Sequence, residues 1–182
     1  MTSACDAATA LRLANETLDR PVTTEQLLSI AAPLGADVPF FLAPGPQLGE
    51  RDGSALAPLE LPQDYWVLLL MPNDRKKEST ASVYSAFDRR DGWRGYENRR
   101  DSVRETLARV RRPRDLASLP PNDLAASPIA AELRDFGAFR ADVSGAGPCV
   151  YGLFEERAEA VRARRAVRGH GRTWLVVPTW YF

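Results

Sequence analysis

Histidine is almost missing from this chain. His170 is the only one in 182 residues, and it stands in Gly169-His170-Gly171, a turn-like setting. One histidine excludes a His-rich metal site and argues against a His-based catalytic triad. Cysteine is nearly as scarce. Cys5 and Cys149 give neither a framework of disulfides nor metal-ligand spacing, so reduced thiols in a cytoplasmic protein are the expectation. Lysine occurs only as Lys76 and Lys77, so almost all cations are arginine; 24 Lys+Arg balance 24 Asp+Glu at a formal net charge of zero. That balance argues against a nucleic-acid backbone or an anionic membrane as the main partner. Apolar runs are short of the ~18 residues that a membrane span needs, and no basic stretch followed by an apolar one opens the chain.

What is present is ordinary for a folded chain: 45% hydrophobic and 26% charged residues, enough for one large domain or two small ones. Apolar positions at helical spacing predict a helix over residues 4–18, ended by Pro21. A second helix follows, capped by Thr23 or Thr24 with Gln26 as a capping-box partner to Thr23, and stopped by Pro33 and Gly35. Val38 to Leu42 reads as a short buried strand, which puts Asp37 between helix and strand. Residues 47–50 and 54–59 read as a strand pair around Arg51-Asp52-Gly53, because Asp-Gly is a hairpin signal. Residues 61–64 read as a linker.

From Tyr65 the predicted order is strand, helices, strand, strand, helix, strand. The continuous apolar run 65–71 predicts a strand covered on both faces. Helices are expected from Ser79 or Thr80, over 97–110, over 124–136 and over 155–167, and strands over 139–143, 149–154 and 172–178. This order suits an α+β sandwich with a mostly antiparallel sheet and helices on one face. The expected division is residues 1–62, part of another domain, and residues 63–182, the α+β domain.

Several stretches can carry chemistry. Ser144-Gly145-Ala146-Gly147 lies between two strands, and its small residues let backbone N–H groups approach an anion; the alternative is a hairpin turn with no ligand. Asp37 is a general base for a hydroxyl or a turn carboxylate bonded to its own backbone. Asp6 contacts a cation or a phosphate through metal, or simply complements the helix dipole. Tyr84 stacks on a base or packs in the core. Arg75-Lys76-Lys77 reads as a solvated loop, and Asn122-Asp123-Leu124 as a helix cap.

Taken together, five runs resemble the GHMP superfamily of galactokinase, homoserine kinase, mevalonate kinase and phosphomevalonate kinase. They are Asp6-Ala7-Ala8, Leu34-Gly35-Ala36-Asp37-Val38-Pro39-Phe40-Phe41, Ser79-Thr80-Ala81 through Tyr84, Pro121-Asn122-Asp123-Leu124 and Val143-Ser144-Gly145-Ala146-Gly147-Pro148. Within it they look most like the kinases of 4-diphosphocytidyl-2-C-methyl-D-erythritol in non-mevalonate isoprenoid biosynthesis. The resemblance implies the C-terminal part of an S5-like kinase domain, followed by a ferredoxin-like GHMP C-terminal domain. It also implies ATP- and Mg²⁺-dependent phosphorylation of the substrate's 2-hydroxyl. Asp37 matches the catalytic aspartate. Ser144, Gly145 and Gly147, with Asp6, match the ATP side, and Thr80 and Tyr84 the cytidine side.

The family's N-terminal lysine and Gly-rich loop lie upstream of every run matched here. Ala4 and Cys5 replace hydroxyl residues at the end of that loop, and Arg51 replaces a small residue. A truncated kinase is therefore the expectation, with an inactive fragment or binding module, or a mevalonate or homoserine kinase, as alternatives.

Overall fold

A computed structural model describes residues 4–50, 53, 55–73 and 79–179. They fall into two compact units, one running to Glu60 and one spanning Leu61–Thr179.

In the first unit, α1 (Ala4–Glu16) and α2 (Thr24–Ala31) form as the sequence pattern predicts. Asn15 fixes the turn between them: its Oδ1 accepts from the Val22 N–H at 2.8 Å and its Nδ2 donates to Val22 O at 3.2 Å. Thr23 Oγ1 accepts from the Gln26 N–H at 3.3 Å, and Gln26 Oε1 accepts from the Thr23 N–H at 2.9 Å. This is the reciprocal capping box, satisfying two amides the helix cannot. After Ala31 the chain tightens into a 3₁₀ turn, Ala32–Leu34, at Pro33.

The apolar run expected as a strand is instead a helix, α3 (Val38–Leu42). Val38, Pro39 and Leu42 are buried, whereas Phe40 and Phe41 are each 43% exposed. Burial at i, i+1 and i+4 is helical rather than alternating. Pro39 sits in the first turn, where its missing N–H costs no intrahelical bond. Ala8, Ala31, Val38 and Leu42 form the core of this unit. Arg12 ties α1 to α3 by donating to Phe41 O at 3.0 Å. The predicted hairpin follows as β1 (Gln47–Glu50) and β2 (Ala55–Pro58), antiparallel.

The second unit is a four-stranded antiparallel sheet of β3 (Trp66–Pro72), β4 (Arg140–Val143), β5 (Val150–Phe154) and β6 (Gly171–Val176), in the order β4-β5-β3-β6. Between β3 and β4 run α4 (Thr80–Arg89), α5 (Tyr96–Arg109), a 3₁₀ turn (Pro113–Ser118) and α6 (Pro128–Asp135); α7 (Arg157–Ala166) joins β5 to β6. With the intervening helices this is the strand order of a ferredoxin-like α+β fold. The predicted helix over 124–136 begins only at Pro128, which occupies its first turn; a proline biases the residue before it away from helical backbone.

Strand alternation gives the sheet two different faces. Leu68, Leu70, Ala141, Val143, Val150 and Phe154 point to one side, and Ala130 and Leu133 of α6 and Ala160 and Ala163 of α7 close over them. The helices come very near here. A Cβ added at Gly152 would lie 3.1 Å from Phe154 Cε2 and 3.2 Å from Leu133 Cδ1. The opposite face is only partly covered. Tyr65, Val110, Leu116 and Leu153 cluster there with half-buried Val67 and Phe139, while Met71 stays 39% exposed. β3 is thus sealed on one face rather than both.

Arg140 and Asp142 also lie on that second face, under residues 116–122. Arg140 donates to Leu119 O at 2.6 Å, Pro120 O at 2.7 Å and, through Nε, to the Tyr151 hydroxyl at 3.0 Å. It pairs with Asp142 Oδ2 at 3.6 Å, with the two side chains only 12% and 14% exposed. Asp142 accepts from the N–H groups of Asn122 and Val143, each at 2.8 Å.

Two substitutions test this packing by urea unfolding. Leu133→Ala removes a side chain with no solvent exposure and is expected to cost about 2–5 kcal/mol. Asp142→Ala leaves Arg140 and two amides without their partner and is expected to cost about 3 kcal/mol. A loss below about 1 kcal/mol for either contradicts the packing described.

Candidate functional site

The glycine-rich segment predicted as a turn is one. Ser144 N–H donates to Cys149 O at 2.8 Å and Gly147 N–H to Ser144 O at 2.9 Å, closing the link between β4 and β5. Gly145 and Gly147 have φ of +54° and +78°, the left-handed region that side chains disfavour. A Cβ at Gly147 would press on Val143 Cγ1 at 3.3 Å, whereas one at Gly145 would meet nothing within 4 Å. The turn therefore rests on Val143 and is open at Gly145. Among the described residues, the amides of Gly145 and Ala146 find no acceptor within the protein. Two adjacent amides without acceptors among the described residues, beside a glycine with no side chain, form a surface suited to an anionic oxygen.

Sequence reasoning took Asn122 for a helix cap; it is instead bonded to this turn. Its Nδ2 donates to Val143 O at 2.8 Å and to Gly145 O at 2.7 Å, and its Oδ1 accepts from the Leu124 N–H at 2.7 Å. The signal available in the sequence was an Asn two residues before Leu124, directly after Pro120-Pro121, a setting that suits an Asx turn. Cys149, at the far end of the turn, is not set up as a nucleophile. Burial pushes its thiol above the ordinary range, against a smaller opposing pull from the Leu70 backbone.

Thr80 and Tyr84 lie one turn apart on α4 and are both exposed; Val83 and Phe87 carry the helix's buried face. Ser79 caps the helix, accepting from the Ser82 N–H at 3.1 Å. Tyr84 is 45% exposed, so its ring is not part of the core.

Asp37 and Asp6 belong to the first unit. Asp37 precedes α3 with helical backbone, is exposed, and makes no capping bond to that helix; the backbone-bonded turn carboxylate that the sequence also allowed does not form. The β1–β2 hairpin rises beside it, so that a Cβ at Gly53 would lie 4.0 Å from Asp37 Oδ1. Asp6 stands in the first turn of α1, directly after Ala4 and Cys5. Arg51 and Arg75-Lys76-Lys77 lie outside the described residues. His170 is committed to Glu132 Oε2 at 2.8 Å.

Among the described residues, no three His, Cys, Asp or Glu side chains gather as a metal site. A cation held mainly by phosphate oxygens needs only one or two carboxylates from the protein, a demand that Asp6 or Asp37 can meet. No helix among the described residues is long and apolar enough to cross a membrane.

Residues 123–173 match the family model described as GHMP kinases C terminal. The chain is 35% identical over 93% of its length to a 4-diphosphocytidyl-2-C-methyl-D-erythritol kinase of Pelobacter propionicus, and 32% identical over 94% to one of Geobacter metallireducens. It spans about 60% of the length of these curated relatives. Among solved structures it is similar to a 4-(cytidine 5'-diphospho)-2C-methyl-D-erythritol kinase, with a TM-score of 0.70 and 27% identity, covering 96% of this chain and 63% of that one. An L. major mevalonate kinase in complex with R-mevalonate shares the fold at a TM-score of 0.70 and 18% identity, over 98% of this chain and 66% of the other. By sequence and by fold, the chain is similar to kinases of the GHMP superfamily, and residues 123–173, within its second unit, match that superfamily's C-terminal domain.

Proposed function

We propose that this chain serves ATP-dependent phosphoryl transfer to the 2-hydroxyl of 4-diphosphocytidyl-2-C-methyl-D-erythritol, a step of isoprenoid precursor synthesis carried out in the cytoplasm. The observation that carries the reading is the 32–35% identity, over more than nine-tenths of the chain, to four kinases of that name. On this reading residues 1–62 are the C-terminal part of the ATP-binding domain and residues 63–182 the GHMP C-terminal domain.

Each residue then has a role set by its surroundings. Asp37, exposed and without a capping bond, orients the acceptor hydroxyl and takes its proton. The turn at Ser144, Gly145 and Gly147 offers amides to phosphate oxygens; ATP brings the transferable γ-phosphoryl group together with Mg²⁺. Asp6, at the N-terminal turn of α1, stands on the cation side. Thr80 and Tyr84, on one exposed face of α4, receive the cytidine: the ring of Tyr84 stacks on the base and the hydroxyl of Thr80 bonds to it. Positioning and charge stabilisation do most of the work in such a reaction.

The test is ADP release together with ³¹P NMR of the product, with 4-diphosphocytidyl-2-C-methyl-D-erythritol, mevalonate and homoserine offered in parallel. A new phosphomonoester on the first substrate alone is expected. Asp37→Asn should then lower turnover by about 10²–10⁴-fold with an unchanged urea midpoint. Transfer to mevalonate or homoserine only, or no transfer to any of the three, overturns the proposal; near-normal turnover of Asp37→Asn removes Asp37 from its role.

A further inference from the structure

Asn122 is bonded to the glycine turn from a segment more than 20 residues away in sequence, and that segment is itself held down. Asp142 accepts from the Asn122 N–H at 2.8 Å. Arg140 occupies the carbonyls of Leu119 and Pro120. Arg99 Nε donates to Asp123 Oδ2 at 2.7 Å, and Arg90 donates to Asp123 O. The Asn122 amide therefore starts from a fixed base. It holds two carbonyls of the turn, Val143 O at 2.8 Å and Gly145 O at 2.7 Å.

The consequence follows from peptide planarity. In a trans peptide the C=O and the following N–H point in opposite directions. Holding Gly145 O toward Asn122 turns the Ala146 N–H away from residues 119–124. Holding Val143 O the same way turns the Ser144 N–H to the other side, where it meets Cys149 O at 2.8 Å. Two flexible glycines would otherwise leave these planes free to rotate. The open side at Gly145 is the side on which no atom would meet an added Cβ within 4 Å.

We propose that Asn122 is a positioning residue: by fixing the carbonyls of Val143 and Gly145, it presents the Ala146 amide to a phosphate group of the nucleotide, next to the Gly145 amide, whose plane is set by the Gly147 N–H on Ser144 O. This deepens the kinase reading and rests on it. Asn122 need not touch the ligand; it sets the orientation of a donor that does, so that binding does not have to order the turn.

Asn122→Asp is the informative variant. It keeps the Oδ1 acceptor for Leu124 and the side-chain volume, but places a carboxylate oxygen against two carbonyls. Calorimetric titration of the whole chain with Mg²⁺–ATP should show at least tenfold weaker binding at unchanged stoichiometry. A merely structural defect lowers the stoichiometry and leaves the affinity of the folded fraction alone. Hydrogen exchange at the Ser144 and Gly147 amides, measured without ligand, should accelerate at least tenfold. Should Asn122→Asp lose cooperative unfolding, Asn122→Ser, which keeps a single donor, should weaken ATP binding in the same direction by a smaller factor. ATP binding equal to that of the unsubstituted chain overturns the proposal. If the unsubstituted chain itself binds no ATP, the kinase reading fails instead, and exchange alone decides: unchanged protection at Ser144 and Gly147 shows that Asn122 does not fix the turn.

Discussion

The Arg140–Asp142 pair, pressed between β4 and the proline-rich segment above it, is the interaction on which the candidate site depends. Pro120 and Pro121 have no N–H to give, and residues 119–124 form no helix or strand, so the carbonyls there need donors from elsewhere. Arg140 supplies them to Leu119 and Pro120, and Asp142 takes the amides of Asn122 and Val143. A charge pair this buried contributes little net energy against apolar alternatives, but it is costly to break. What it provides is register: it fixes where Asn122 stands, and Asn122 fixes the glycine turn.

The sheet makes this possible by dividing its tasks between faces. The helix-covered face is closed by small residues, Ala130, Ala160 and Ala163, with Gly152 beneath Leu133. Close helix-on-sheet approach there gives β4 and β5 a rigid seat. The other face carries Arg140, Asp142 and Tyr151, polar groups partnered with backbone and with one another. One side supplies cohesion, while the opposite side supplies the hydrogen-bonding chemistry that holds an irregular segment. The turn joining the two strands inherits its precision from both.

Much of this was legible from sequence because it is local. The Thr23–Gln26 capping box, the pairing of β1 with β2 and the succession of helices and strands along the chain after Tyr65 each depend on residues a few positions apart. Five apolar residues, 38–42, are too few to separate a period of two from one of 3.6, and Pro39, in the first turn of α3, was the helix-start signal. Pro128 likewise marked where α6 begins. The glycine turn was legible as a turn between two strands. Its support was not, because Asn122 acts on Val143 and Gly145 from 21 and 23 residues away. Tyr84 followed a helical pattern that fits core and surface alike, and only its exposure separates the two.

The central claim is that the open side of the 144–147 turn receives the nucleotide's phosphates. Paramagnetic broadening of the ¹⁵N-labelled chain by substoichiometric Mn²⁺–ATP tests it directly. The amide resonances of Gly145 and Ala146 are predicted to broaden first in the second unit, with those of Leu68 and Leu70 in the sheet core unaffected at the same concentration. Broadening that leaves Gly145 and Ala146 sharp while other amides of residues 61–179 disappear would contradict it.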